Sequence, residues 1–529
     1  MHALHCFQDM SMLLLAAEGT GVLDAGVAPH LLHHTRTLLR TPGFKPQALG
    51  NTLWALAKLG HTACTPLLHD AAAAVVHQGC LYGDTAQAWS NTMWAYATLG
   101  HYDPQLCQYV AEQVVSSGGC MRGATPQGWA NLLWAFATLG HHDPALFHHA
   151  ARQAVQHGLM RGATPQGWST LLWAYATVRH YDPELFSLAV SCRCQAASEP
   201  VNPQEASNTL LALATVYHVQ GVDRLVDVLL PHMLARLGQH NGQDICNSVW
   251  ALLVLGLARH PAMMALLREA NGRPLSTTFA RDGLCQLRQA HVELADLGVD
   301  SGLSAQHQLA ARLAWRERGA SNLGDPDSSF QHQVAAAVLE LQPGSAVQLE
   351  GQTRDGMFDV DVLVTMPGQS LPLAVEADGH MHCMRNLPGR IDGNTQLRNR
   401  QLGRLEQRGL SGLVLVSHGE WYNMSHQAHL ELLRAKLAAC AGGQPVGGSG
   451  SRQAGKRPSG SGSRQGAGQP AGGSGSLQVG ERPSGSGSRQ AGGQPAGGSG
   501  APSQPQPTLK VSAWSMTHHV VPLPTHPLT

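Results

Sequence analysis

The strongest constraint on the fold is a motif that recurs along the first half of the chain. Its clearest copy, PQGWANLLWAFATLG, begins at Pro126. Further copies begin at Pro46, Ala86, Pro165 and Pro203, and a degenerate copy covers Asp244–Trp250. Equivalent positions are 38 to 40 residues apart: Trp54, Trp94, Trp134, Trp173, Leu211 and Trp250. A constant period of this length predicts a solenoid of stacked repeats.

Each repeat is predicted to contain two helices. Thr125 is a suitable N-cap residue, and Pro126 fits the first helical turn. Gly140 would end this helix in the left-handed conformation. Asp143-Pro144 then starts a second helix, which would end at Gly158. Because a helical hairpin cannot bury its apolar face alone, the hairpins must stack on one another.

One face of the first helix is predicted to be core, and Trp134 lies to one side of it. At roughly 100° per residue, the core face consists of Trp129, Leu132, Leu133, Phe136 and Leu139. Trp134 would then contact the neighbouring repeat. Tryptophans could instead stack on nucleobases, but helical spacing favours packing in the core.

The opposite face of the first helix carries one pair of polar residues per repeat, seven positions apart. The pairs are Asn51/Lys58, Asn91/Thr98, Asn131/Thr138, Thr170/Thr177 and Asn208/Thr215. A row of amides and hydroxyls could hydrogen-bond successive bases of a single strand. The alternative is that these are ordinary solvated positions, and their repetition over five repeats favours the binding surface.

This helical-pair repeat, with its pattern P-x-x-x-x-N/T-x-L-W-A-x-A, resembles the octotricopeptide repeat of green algae over about residues 41–260. The resemblance implies binding of single-stranded organellar RNA, with roughly one nucleotide per repeat. It also implies a location in the chloroplast or the mitochondrion. Residues 1–40 would hold a degenerate repeat, so the sequence is expected to begin inside a repeat, and residues 261–328 would form a helical cap or linker.

A different pattern follows from residue 329 onward. Alternating and apolar runs predict strands at 358–364, 373–376 and 413–416. Helices are predicted at 329–341, 396–408 and 426–436, and the arginines of the middle helix are expected to be mostly exposed. Strands that alternate with helices predict an α/β or α+β domain.

Three segments of this region, VEADGHMHC, GNTQLRNRQL and LVLVSHGEW, resemble the RAP domain, whose fold is similar to that of restriction endonucleases. The matching residues are Glu376, Asp378, Gly379, His382, Gly393, Thr395, Arg398, Arg400, Leu402, Glu420 and Trp421. His380 and Cys383 depart from the family pattern. The chain is thus predicted to be an α-helical repeat solenoid of period 38–40, followed by an α/β RAP domain in residues 329–440 and a disordered Gly/Ser/Pro-rich tail in residues 441–529.

The RAP resemblance raises the alternative of a metal-dependent endoribonuclease. Such a site needs two carboxylates for Mg²⁺ and a lysine that positions the attacking water. Asp359 or Asp361 could supply the first carboxylate and Glu376 the second, whereas Asp378 stands at the lysine position. Arg398 could substitute for the lysine. The other interpretation is structural or RNA-backbone binding, which we favour, so Mg²⁺ is expected only if the nuclease alternative holds.

Basic side chains of the same domain are the candidates for phosphate contacts. Arg398, Arg400 and Arg404, with Arg408, follow one another on the predicted helix, and guanidinium groups bind phosphate well. His382 is a further candidate RNA contact, since no second ligand pair with suitable spacing supports a metal site beside it. A plain solvated helix face would give the same arginine pattern.

Charge argues against a purely electrostatic nucleic-acid binder. The chain has 35 basic and 35 acidic residues, of which seven basic and one acidic lie in residues 441–529. Residues 1–440 therefore carry 28 basic and 34 acidic residues, a net charge of −6. Any RNA affinity must come mainly from stacking and hydrogen bonds. The same charge favours a third hypothesis, a protein-binding helical scaffold without RNA.

The remaining expectations concern partners and location. The expected partner is organellar RNA that undergoes processing, stabilisation or translation, with other RNA-maturation proteins as further partners. No apolar run of 18 residues predicts a membrane span, no cofactor motif is present, and the N-terminal residues lack the pattern of a transit peptide.

Overall fold

The computed structural model describes residues 27–39, 46–60, 64–81, 85–117, 120–322 and 328–441. Two rows of helices occupy the described part of residues 27–271. The first row contains α2 (Pro46–Lys58), α4 (Ala86–Thr98), α6 (Pro126–Thr138), α8 (Pro165–Thr177), α10 (Pro203–Thr215) and α12 (Gly242–Val254). The second row contains α1 (Val27–Leu39), α3 (Thr65–Gln78), α5 (Pro104–Ser117), α7 (Pro144–His157), α9 (Pro183–Gln195), α11 (Val222–Leu234) and α13 (Pro261–Asn271).

Each helix packs against the next helix of its own row, so the hairpins form one continuous array. The predicted helical repeat solenoid is confirmed. The first row continues beyond the recognised motif, because α15 (Arg281–Asp296) packs on α12. A short helix, α14 (Leu275–Thr278), precedes it, and α16 (Ala305–Asn322) packs on α15. The domain boundaries given above remain predictions.

The helices begin and end where the sequence predicts. The hydroxyl of Thr125 accepts a hydrogen bond from Gly128 N at 3.1 Å, and the carboxylate of Asp143 accepts one from Leu146 N at 2.7 Å. These contacts satisfy amide groups that the first turn leaves free. Gly140 and Gly158 follow α6 and α7 with φ of 70° and 67°.

Two repeats place a larger residue where the others have this left-handed glycine. Arg179 has φ 55° and Tyr217 has φ 51°. A side chain at positive φ is strained and persists only where surrounding contacts hold it. Both residues contact the C-terminal domain, as described below, and these contacts offset the strain.

The core lies between the two rows. Trp129, Leu132, Leu133 and Phe136 are buried as predicted, whereas Leu139 is only half-buried. Trp134 is half-buried and stacks on Trp94, with ring centroids 6.3 Å apart. The predicted contact of this tryptophan with the neighbouring repeat is therefore confirmed.

The C-terminal region is a small mixed α/β domain. Its helices are α17 (Ser328–Leu341), α18 (Gly393–Leu402), α19 (Leu405–Arg408), α20 (His418–Trp421) and α21 (His426–Ala441). Its strands are β1 (Ala346–Gln352), β2 (Asp359–Thr365), β3 (Leu373–Asp378), β4 (Cys383–Met384), β5 (Leu387–Ile391) and β6 (Gly412–Ser417). The main sheet has the order β1-β2-β3-β6, in which β3 and β6 are parallel and the other pairs antiparallel. Strands β4 and β5 form a separate hairpin.

Both faces of the main sheet are covered. On one face, α17 and α21 pack against β2, β3 and β6 through residues such as Val338, Val375 and Leu433. On the other face, Phe358 and Leu402 form a core with Val292 of the solenoid helix α15. Trp315 of α16 also reaches this core, and its Nε1 donates to Met357 O at 2.7 Å. The sheet thus shares a hydrophobic core with the end of the solenoid.

Two predictions concern segments that lie wholly or partly outside the described residues. The predicted disordered tail lies, after Ala441, outside the described residues, as does the part of the degenerate N-terminal repeat within residues 1–26. Among the helices that are described, none combines the length and the apolar character needed to cross a bilayer.

Candidate functional site

The predicted polar pairs lie on one stripe of the first-row helices. On α6 the stripe consists of Gln127, Asn131, Trp134 and Thr138, spaced four, three and four residues apart, which places them on one helical face. The equivalent residues of α2, α4, α8, α10 and α12 continue it, and we call the whole set the polar stripe. It faces away from the buried residues that join the two rows. All ten predicted asparagine, threonine and lysine positions are half-buried on it.

In the predicted pairs, the asparagine amide is more accessible to solvent than the threonine hydroxyl. Within the described residues, the side chains of Asn91, Asn131 and Asn208 have no hydrogen-bond partner, and each is partly exposed. The hydroxyl oxygens of Thr98 and Thr138, by contrast, are covered and have no partner there. The asparagines can therefore accept and donate hydrogen bonds to an external group.

The fourth position of the stripe, which holds Lys58 and the threonines, is less accessible to a ligand. Thr215 donates its hydroxyl to Leu211 O of its own helix at 2.8 Å. Lys58 Nζ lies 5.5 Å from the ring centroid of Trp54 and 5.7 Å from that of Trp94. Thr177 is half-buried on α8, as is Thr170, which occupies the asparagine position of that helix. The asparagine row thus offers more free hydrogen-bonding capacity than the threonine row.

The first three tryptophans of the stripe contact one another between repeats. Trp54 and Trp94 have ring centroids 6.3 Å apart, the same separation as Trp94 and Trp134. Their main contact is thus with each other, as the packing interpretation predicted. The axes of packed helices, and hence successive repeats, are about 8–10 Å apart, which is more than twice the spacing of about 3.4 Å between stacked bases in B-DNA.

The glutamine that opens the stripe in every copy of the motif was not among the predicted site residues. These residues are Gln47, Gln87, Gln127, Gln166, Gln204 and Gln243. Each lies four residues before the asparagine or threonine position. The signal was present in the PQ of the motif, but a polar residue in the first helical turn is common and attracted no functional interpretation.

In the sixth repeat the polar residue of the stripe is hydrogen-bonded within the protein. Asn247, which occupies the asparagine position of α12, accepts hydrogen bonds from Gln243 Nε2 at 2.8 Å and from Gln286 Nε2 at 3.1 Å. Val254 takes the place of the threonine and is buried. The free amides are therefore those of the preceding repeats.

Of the arginines expected to be exposed, Arg400, Arg404 and Arg408 lie where α18 and α19 contact the solenoid, and Arg398 pairs with Glu376 of its own domain. Arg398, Arg400 and Arg404 are half-buried, and Arg408 is buried, so the expected exposure is wrong. Arg404 Nη2 lies 2.5 Å from Glu293 Oε1 of α15, and Arg408 pairs with Asp296 of the same helix and with Asp355. The physical reason is that α15 supplies the partner carboxylates from more than a hundred residues earlier in the chain.

Arginines of the α/β domain also bind the carboxyl ends of the first-row helices. Arg390 Nη2 donates to Tyr217 O, after α10, at 2.8 Å, and Arg400 donates to the carbonyls of Leu253 and Val254 in α12. Helix C-termini carry free carbonyls and partial negative charge, which a guanidinium group satisfies. As RNA contacts, Arg398, Arg400 and Arg404 stay a prediction that must compete with these internal bonds.

The β4–β5 hairpin makes the same kind of contact one repeat earlier. Arg385 N donates to Arg179 O at 2.8 Å, and the Arg179 guanidinium donates to Met381 O. Asn386 and Tyr181 exchange two hydrogen bonds of 2.9 Å. The guanidinium carbon of Arg390 lies 4.0 Å from the centroid of the Tyr181 ring. The domain therefore contacts α8, α10, α12 and α15 or the loops that follow them.

Three predicted carboxylates lie close together near the end of β3. Burial raises the pKa of Asp361 to about 7, and the charge of Glu376 adds to that rise. Burial and then the charge of Asp361 raise the pKa of Asp378 to about 7. Burial would lower the pKa of Arg398, but Glu376 and Asp361 outweigh it and raise that pKa. Arg398 is thus the cation that compensates this cluster.

The carboxylates do not fit the Mg²⁺ that a nuclease of this fold would need. Both oxygens of Glu376 accept hydrogen bonds from Arg398, at 2.8 and 3.0 Å. Asp361 accepts from Ala377 N at 2.7 Å and from Gln331 Nε2 at 2.9 Å. Across the part of the chain that the structure describes, no three His, Cys, Asp or Glu side chains are arranged to hold a metal ion. The carboxylate oxygens of Glu376 and Asp361 are thus already engaged by hydrogen bonds within the protein.

The last two predicted site residues lie at the edge of this cluster. Asp359 accepts a hydrogen bond from Gln352 Nε2 at 3.2 Å, and its backbone carbonyl accepts one from Arg398 at 2.7 Å. His382 is half-buried, and its Nδ1 lies 3.1 Å from Thr395 Oγ1. Burial lowers the pKa of His382, so the imidazole is neutral at physiological pH. Both residues thus have partners within the domain.

No model of a known protein family matches this sequence, and neither does any curated protein. Its own structure shows a helical repeat solenoid joined to a small mixed α/β domain.

Proposed function

We propose that this protein binds single-stranded RNA along the polar stripe and selects the RNA by its sequence. On this proposal it is an octotricopeptide-repeat protein with a C-terminal RAP-type domain. It would work in a chloroplast or a mitochondrion, on the processing, stability or translation of a transcript. Its partners would be that RNA and other RNA-maturation proteins.

One observation carries this proposal: free amides recur on one surface at a regular step. Asn91 and Asn131 occupy the same position of successive repeats, and no described residue hydrogen-bonds to either side chain. A row with a constant step suits a ligand that repeats with a constant step. A polynucleotide repeats in this way, whereas the surface of a globular protein does not. The proposal therefore favours RNA over a globular protein partner.

The step itself favours a single strand over a duplex. Neighbouring first-row helices pack with their axes about 8–10 Å apart, so bases aligned with the repeats could not stay stacked at about 3.4 Å. Sequence-specific proteins recognise RNA mostly where its bases are unstacked and their edges are free. An asparagine amide can form two hydrogen bonds with such an edge.

The α/β domain contributes to this function by holding the end of the array. Its arginines bind helix carboxyl ends and the acidic residues of α15, which leaves fewer of them for phosphates. Because residues 1–440 carry a net charge of −6, we expect affinity to fall only weakly as salt rises.

Selection from a randomised RNA pool tests the proposal. Asn91→Ala and Asn131→Ala should each change the preferred base at one position, and the two positions should be adjacent in the bound RNA. Gln156→Ala, on an exposed position of α7 in the second row, is the matched control and should select the wild-type sequence. An unchanged preference in both asparagine variants, or the absence of any enriched RNA, would overturn the proposal.

A further inference from the structure

The most regular residue of the polar stripe is not one of the predicted pairs. The first position of the stripe is glutamine in all six copies of the motif, whereas the second is asparagine in five and threonine in one. The fourth position varies more widely, among lysine, threonine and valine. The first position is therefore identical in every copy, whereas each of the other three positions varies.

The structure gives these glutamines no common structural role. In the described residues, the side-chain amides of Gln87, Gln127, Gln166 and Gln204 have no hydrogen-bond partner. Gln87 and Gln127 are exposed, and Gln166 and Gln204 are half-buried. Among the copies in the described part of the chain, the sixth differs, because Gln243 donates to Asn247. A structural requirement thus does not explain the repetition of the residue.

The glutamines are well placed to touch the same ligand as the asparagines. Gln127 lies four residues before Asn131 on α6, which corresponds to about 6 Å along the helix axis. The bond between Gln243 and Asn247, at 2.8 Å, shows that the two side chains can meet. A nucleotide bound at the asparagine would therefore also be within reach of the glutamine.

A residue that is identical in every repeat suits what every nucleotide shares, which is the sugar and the phosphate. The asparagine position changes to threonine at Thr170, so that position can give different repeats different base preferences. The glutamine amide is neutral and both donates and accepts hydrogen bonds. The ribose 2′-hydroxyl has the same double capacity, whereas a phosphate oxygen only accepts.

We infer that the glutamine row binds the ribose 2′-hydroxyls of successive nucleotides and so makes the array selective for RNA over DNA. This inference rests on the proposed RNA-binding function and gives the glutamines and the asparagines of the stripe different roles. The glutamines hold the sugar backbone at each repeat, and the asparagine row selects bases. Neutral amides in this role are compatible with the net charge of −6 that residues 1–440 carry.

The test compares RNA and DNA binding by a pair of stripe variants and a matched pair. Gln87→Leu with Gln127→Leu removes two glutamines of the row. Gln105→Leu with Gln156→Leu changes two exposed glutamines of the second-row helices α5 and α7. Each protein is titrated with the sequence selected by the wild type, as RNA, as 2′-O-methyl RNA and as DNA, and base preference is measured by repeating the selection.

We expect the stripe pair to bind the RNA about tenfold more weakly, since two hydrogen bonds are lost. Its affinity for the DNA and its base preference should stay unchanged, and the second-row pair should behave as wild type. A changed base preference, an equal loss for RNA and DNA, or an unchanged RNA affinity would overturn the inference. If the unfolding midpoint of the leucine pair differs from that of the wild type, the pair Gln87→Ala with Gln127→Ala is used instead.

Failure of the proposed function would look different. In that case the wild-type protein itself would enrich no RNA, and the variants would have no binding to lose. If the wild type binds RNA and the asparagine variants alter base preference, the proposed function holds whatever the glutamine variants show.

Discussion

At the residue scale, the Glu376–Arg398 pair shows how the α/β domain tolerates buried charge. Glu376 is 2% exposed, and Asp361 and Asp378 lie near it. Arg398 is bidentate on Glu376 and also donates to Asp359 O. A buried carboxylate that loses its cation is left without compensation, which is the costly case among buried pairs. The stability of the domain therefore depends on this one guanidinium group.

Replacement of Arg398 should destabilise the domain strongly. We expect Arg398→Met to lower the free energy of unfolding by about 3–5 kcal/mol, measured by denaturant titration. Adding Glu376→Gln should restore much of the loss, because the uncompensated charge is then gone. Arg434→Met, at an exposed position of α21, is the control. A loss below about 1 kcal/mol would show that Arg398 does not compensate the cluster.

At the element scale, histidines link the loops that join the two helices of each repeat. His142 Nε2 lies 3.1 Å from His180 Nδ1, and Tyr181 Oη lies 2.9 Å from His218 Nδ1. Burial lowers the pKa of each of these three histidines to about 4. They are therefore neutral in the folded solenoid at physiological pH, and they stabilise the stacking of repeats only in that form.

This arrangement predicts loss of stability in mild acid. The unfolded histidines take up protons as pH falls below about 6.5, while the folded ones resist until about 4. Their contribution is thus present above pH 6.5 and lost as pH falls towards 4. His180→Phe should make the unfolding midpoint less dependent on pH across this window, whereas His157→Phe, exposed on α7, should not. Identical pH profiles for wild type and His180→Phe would contradict this.

Among the elements, those with a repeated or strongly apolar pattern were predictable. The helix caps at Thr125 and Asp143 and the strands β2, β3 and β6 follow from local residue types. Strand β1 was missed because it is largely exposed, so its residues lack the apolar alternation of a half-buried strand. The β4–β5 hairpin is short and gains its contacts from the solenoid, and no local pattern signals such contacts.

At the scale of the whole molecule, the solenoid and the α/β domain form a joint structure. The sheet shares a core with α15 and α16, and Arg390, Arg400 and Arg404 bind three successive first-row helices or the loops after them. Two of these arginines, Arg400 and Arg404, were predicted to contact phosphate, because their true partners are carbonyls and carboxylates far away in the chain. Those partners become visible only after folding.

These contacts predict that arginines of the α/β domain stabilise the helix ends of the solenoid. Arg390→Ala with Arg400→Ala should raise amide hydrogen exchange at the carboxyl ends of α10 and α12 by about tenfold or more, because the carbonyl bonds that hold these ends are lost. Exchange in α4, remote from the domain in sequence, should stay as in the wild type. Unchanged exchange in α10 and α12 would show that these arginines do not hold the array.

The central claim is that RNA lies along the polar stripe. Ultraviolet crosslinking of the full-length protein to its cellular RNA, followed by mass spectrometry of the crosslinked peptides, tests this claim most directly. We predict crosslinks in the first-row helices α4, α6 and α8, at or beside Gln87, Asn91, Gln127 and Asn131. Crosslinks confined to the second-row helices, to the α/β domain or to residues 442–529 would contradict it.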